Sequence, residues 1–177
     1  HTVSADGHVL FCSHNDIEPK NDYSYGLNKT KNTPGDLELM RRCPDFSVII
    51  DNVEKVGNPQ CEVDYDDIFQ ALTLCKVIDK LSITMTFEVN EIVFSAKGDN
   101  GNVEHTVKTN YCSKALWGDF TKYQVKFLLD ALSGLKHQEK IEMRFKPTFD
   151  NQNRPDGHIL RIGKKDDRFA IIMPLTK

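Results

Sequence analysis

The side chains that could do chemistry in this sequence are scattered rather than gathered. His8 and His14 stand near Asp6, Cys12 and Asp16. They could supply metal ligands or a nucleophile, yet no pair has the i,i+4 spacing that puts two ligands on one helix face, and no ligand set is completed. Cys112 with His105 or His137 could make a thiolate–imidazole pair, but no nucleophile signature surrounds it. Adjacent carboxylates, Asp66-Asp67 and Asp166-Asp167, point to different sides of any element that carries them and read as a helix N-terminal charge and a turn. No Gly-rich phosphate loop is present. The expectation is a chain without catalytic residues, metal or cofactor, and a small hydrolase is the most distant reading.

The thiols lead to the same place. Five cysteines, Cys12, Cys43, Cys61, Cys75 and Cys112, are odd in number and show neither Cys-x-x-Cys spacing nor the density of a secreted scaffold. They read as small buried hydrophobes in a reducing compartment. The Asn28-Lys29-Thr30 sequon then carries no meaning, and a cytoplasmic location is the default. No apolar run approaches the length of a membrane span and no secretory signal opens the chain, which starts on His1 and so reads as a fragment or a processed form.

What remains is the chemistry of charge. Twenty-six carboxylates against 23 Lys and Arg give a net charge of −3, which argues against indiscriminate coating of nucleic acid but leaves room for a local basic face. Lys76, Lys80, Lys122, Lys126 and Lys136 fall on predicted helices, whereas Asp99, Asp150, Asp156, Asp166 and Asp167 fall in predicted loops.

Two helices must position those lysines. Over Thr121–Leu135 the residues Val125, Leu128, Leu129, Leu132 and Leu135 recur at spacings of three and four, with Thr121 as N-cap and Gly134 where a helix can stop. Sixty positions upstream, Tyr65–Leu72 lies over Val125–Leu132, and the amphipathic pattern continues through Leu74, Val77 and Ile78, predicting a first helix over 64–79. Each helix is followed by about three alternating segments: Ile83–Val89, Ile92–Ala96 and Val103–Asn110 after the first, with a tight turn at Asn90-Glu91, and Lys140–Lys146, His158–Ile162 and Arg168–Met173 after the second. Cys61–Val63 is a short strand before the first helix. Residues 61–117 and 118–177 thus read as two copies of one helix-plus-strands unit, together a domain over 61–177.

Residues 1–60 read as a partial unit. A hairpin turns at Asp6-Gly7 into a strand through Val9, Leu10 and Phe11, a polar loop runs from Ser13 to Gly35, a short helix spans Asp36–Arg42, and Phe46–Ile50 is a strand. The fold class is α+β, with helices on one face of an antiparallel sheet.

Four stretches resemble the bacterial-type DNA polymerase sliding clamp, the beta processivity subunit. Arg168-Phe-Ala-Ile-Ile-Met-Pro-Leu175 is similar to its terminal motif, and Phe120–Leu132 to its helix ending in Leu-Asp-Ala-Leu. Pro44-Asp45-Phe46 with Val48-Ile49 resembles the Pro-Asp-Tyr junction between the middle and last domains, and Ser4–Leu10 the Thr-Asp-Gly-His-Arg-Leu turn of an earlier domain. The chain departs from the family in carrying Val9 where that turn has Arg, and in having little more than thirty mostly polar residues where a clamp has much of a domain.

The resemblance implies a DNA-clamp fold and a non-catalytic polymerase accessory that encircles duplex DNA in a homo-oligomeric ring, its inner helices attracting phosphates through Lys76, Lys80, Lys122, Lys126 and Lys136. It also implies a hydrophobic pocket for linear motifs of the polymerase and clamp loader, lined here by His8, Leu10, Ile172, Met173, Pro174 and Leu175. The alternative is a monomeric interaction module that keeps the fold and pocket but encircles nothing.

Overall fold

The computed structural model describes residues 2–5, 9–13, 49–51, 53, 55, 60–99, 101–164 and 166–175. The turn at Asp6-Gly7, the polar loop of residues 14–35 and the short helix predicted over 36–42 lie outside the described residues.

A hairpin of β1 (Thr2–Ala5) and β2 (Val9–Ser13) precedes two successive units of the same order. The first is β3 (Cys61–Asp64), α1 (Tyr65–Ile78), β4 (Ser82–Glu88), β5 (Glu91–Gly98) and β6 (Gly101–Cys112). A 3-10 turn at Lys114–Leu116 leads to the second: β7 (Phe120–Gln124), α2 (Val125–Leu135), β8 (Lys140–Phe149), β9 (Pro155–Gly163) and β10 (Arg168–Ile172). All ten strands form one antiparallel sheet in the order β1-β2-β10-β9-β8-β3-β6-β5-β4-β7.

That order exchanges strands between the units. The first strand of the first unit, β3, lies between its own β6 and the second unit's β8, while the first strand of the second unit, β7, pairs with the first unit's β4.

Alternation in the sequence decides which side chains face in. Ile83, Met85 and Phe87 of β4 and Ile92 and Phe94 of β5 are buried, as the period-two pattern predicts. The turn between them uses Val89 and Asn90, with Glu88 opposite Glu91 and Asn90 at φ 60°, one residue earlier than the predicted Asn90-Glu91. Asparagine is among the few non-glycine residues that tolerate this left-handed backbone.

Two sequence expectations are corrected. Thr121–Gln124 is a strand and the helix starts only at Val125, because Thr121 and Tyr123 are a β-branched and an aromatic residue in alternation, buried opposite Met85 and Ile83 of β4. Ile49 and Ile50 belong to no strand: residues 49–51 and 53 are helical. Their side chains pack with Val53 on Leu10, Cys12, Phe169 and Ile171 on one face of the sheet. The main core lies on the other face, where Ile68, Ala71, Leu72 and Cys75 of α1 and Val125, Leu128, Ala131, Leu132 and Leu135 of α2 meet the inward residues of the strands.

Candidate functional site

After β10 the chain leaves the sheet, and Leu175 N–H donates to the carbonyl of Lys122 on β7 at 2.8 Å. On the way Pro174 passes over Gly157 of β9. A Cβ at Gly157 would sit 3.0 Å from Pro174 Cβ and 3.3 Å from Thr121 Oγ1, and its φ of +141° favours glycine independently. The last described residues therefore build one wall of a cleft of about 280 Å³, lined by Phe120, Thr121, Lys122, Pro147, Phe149, Asp156, Gly157, His158 and Leu175, with Gly118 and Asp119 at one end. Phe120 and Phe149 are half exposed at 48% and 56% and give the cleft aromatic surface.

The polar groups beneath are engaged in holding the cleft's floor. Tyr123 Oη donates to the carbonyl of His158 at 2.7 Å, and His158 N–H donates to Thr121 Oγ1 at 3.2 Å. Burial raises the pKa of the Tyr123 phenol, so it stays a donor. His158 lies edge-on to Phe145, with Nε2 3.6 Å from Asp119 Oδ2. Burial holds its imidazole below the ordinary value, opposed by the Asp119 carboxylate. Tyr123 Oη is thus held by a backbone carbonyl and Thr121 Oγ1 accepts from a backbone N–H, while Phe120, Pro147, Phe149 and Leu175 give the cleft apolar surface. Its volume falls just below the range of about 300–1,000 Å³ usual for small-molecule sites and suits one or two apolar side chains of a longer partner.

Of the six residues expected to line a pocket, Leu175 lines this cleft and Pro174 backs it against Gly157. Met173 is 40% exposed but does not line it. Leu10 and Ile172 are buried in the clusters on opposite faces of the sheet, because Ile172 pairs with Val9 rather than with Leu10 and successive side chains alternate. They are core residues. His8 lies outside the described residues.

The sequence carried a signal for the missing part. Asp156-Gly157-His158-Ile159-Leu160 repeats the Asp6-Gly7-His8-Val9-Leu10 pattern, and Asp156, Gly157 and His158 line the cleft.

Lys76, Lys80, Lys126 and Lys136 are exposed on or just after α1 and α2. Lys122 is exposed too, but on β7 rather than on a helix. The helices' outward faces also carry Asp66, Asp67 and Asp130, so their charges nearly balance. Among the described residues no group of three or more His, Cys, Asp or Glu could hold a metal ion.

The sequence matches no protein-family model and no curated protein. Solved structures do match. The DNA polymerase sliding clamp from Pseudomonas aeruginosa aligns at TM-score 0.69 and 17% identity over 99% of this chain and 55% of its own. The fold is that of a sliding clamp. DNA polymerase III subunit beta from Borrelia burgdorferi aligns at TM-score 0.67 and 13% identity over 99% of this chain and 51% of its own. PCNA from Thermococcus kodakaraensis aligns at 0.52 and 17% over 67% and 48%. The chain thus spans about half the length of the clamps it matches.

Proposed function

We propose that this clamp-fold chain acts in a polymerase processivity factor, a ring of more than one chain that encircles duplex DNA and docks short apolar motifs of polymerase and clamp loader in the cleft beside Leu175. The role is non-catalytic and soluble, in the cytoplasm; among the described residues no helix is long and apolar enough to cross a membrane. The observation that carries this reading is the path of the last described residues, in which Pro174 crosses β9 at Gly157 and Leu175 joins Phe149 and Pro147 in lining the cleft. The likeness to clamps over nearly the whole chain supports it.

The near balance of charge on α1 and α2 favours a second reading, a monomeric module that keeps the cleft and encircles nothing. Light scattering with and without a fluorescent polymerase-tail peptide, read by anisotropy, separates the two. The first reading expects an oligomer whose peptide affinity falls about tenfold or more in Leu175→Ala or Phe149→Ala, the loss of one well-buried anchor. A monomer that still binds supports the module, and a protein without peptide affinity removes the docking function from both.

A further inference from the structure

Outside the cleft, Cys61 and Cys112 face each other at the centre of the sheet. They are direct partners in the β3–β6 ladder, both buried, with Sγ atoms 3.0 Å apart. Ser113 N–H donates to the carbonyl of Gln60 at 2.7 Å, which makes the neighbouring Cys61–Cys112 a non-hydrogen-bonded pair of an antiparallel ladder. Such pairs hold their Cα atoms about 4.5 Å apart, inside the window of about 4.4–6.8 Å that a disulfide spans. The register slips between Glu62 and Val63, so a bulge next to the pair can absorb the small movement that closing the sulfurs to about 2.05 Å needs.

We propose that Cys61 and Cys112 form a peroxide-reactive dithiol site, closing into a reversible cross-strand disulfide that fastens β3 to β6. The odd cysteine count hides this pair in the sequence, where 51 positions separate its members.

The two thiols have different parts. Cys61 S–H donates to Cys112 Sγ, which favours the Cys112 thiolate and keeps Cys61 protonated. Both residues are buried, Cys61 fully and Cys112 at 9% exposure, so Cys112 is the member of the pair nearer to solvent. Cys12 and Cys75, by contrast, are pushed up by burial to about 11 each. The Cys112 thiolate attacks a peroxide oxygen, breaking the O–O bond and giving a sulfenic acid and hydroxide, which takes up the proton that the Cys112 thiol released on ionising and becomes the first water. Cys61 sulfur then attacks the Cys112 sulfur, its proton leaves with the departing hydroxyl as water, and the S–S bond forms. Two thiols lose two electrons, one hydrogen peroxide gains them, and two waters result.

The test treats the native protein with hydrogen peroxide and maps its peptides without reduction. The expected product has lost the mass of two hydrogens, shows a Cys61–Cys112 linkage, titrates two fewer of its five thiols, and melts roughly 5–10 °C higher until dithiothreitol reverses the change. Cys112→Ser is expected to form no linkage at Cys61. A linkage mapped to other cysteines, oxygen addition without cross-linking, or an unchanged mass overturns the proposal, and mapping on the native chain decides it even where the variant does not fold.

Discussion

His158 is the residue whose environment the cleft depends on most. It presents its backbone N–H to Thr121, its carbonyl to Tyr123 and its ring to Phe145, so the imidazole is held buried and neutral. Because its folded pKa is depressed, the unfolded chain binds the proton more readily between the folded value and the unfolded value of about 6.5. Stability in that window rises with pH and is lost as pH falls below about 6.5. Urea unfolding across pH 5 to 8 is expected to show the native protein losing stability toward acid relative to His158→Gln; parallel curves would mean that burial does not perturb this ring. At this scale the sequence was only half legible. Leu175 entered through the resemblance of Arg168–Leu175 to the clamp's closing motif, a short contiguous stretch. Thr121 meets Pro147 and Phe149 because β7 lies against β9, the partner of β8, through the hydrogen bonds of His158 with Thr121 and Tyr123, a tertiary contact that no local pattern encodes.

At the scale of elements, α1 shows what periodicity can give: 65–78 observed against 64–79 predicted, with Ile68, Ala71, Leu72 and Cys75 buried. The second helix shows its limit. An alternating Thr-Lys-Tyr-Gln segment directly before a helix extends the apparent 3.6-residue stripe backwards, and only a waiting partner strand, β4, converts it to a sheet edge. The consequence for charge is direct, since Lys122 leaves the helical set and α2 presents Lys126 and, at its C-cap, Lys136. If both reach phosphates, the double variant Lys126→Gln, Lys136→Gln should lower the slope of log K against log[salt] for duplex DNA by about 2, at about 0.9 per phosphate contact. An unchanged slope would remove α2 from the DNA-lining surface.

For the whole molecule, the repeat was legible because each unit restates its own helix and strand order, whereas the exchange of β3 and β7 was not, since sheet neighbours are chosen by tertiary packing rather than by local sequence. That exchange predicts one cooperative unfolding transition. Calorimetric and van't Hoff enthalpies for residues 61–177 should agree, and two separable transitions would contradict interlocked units. Neither unit contains a complete copy of its own sheet. A chain cut between β6 and β7 would leave the first half without the strand that covers β4 and the second without the strand that covers β8. The two units are therefore interlocked like a clasp: each holds the edge that the other leaves open, and neither closes by itself.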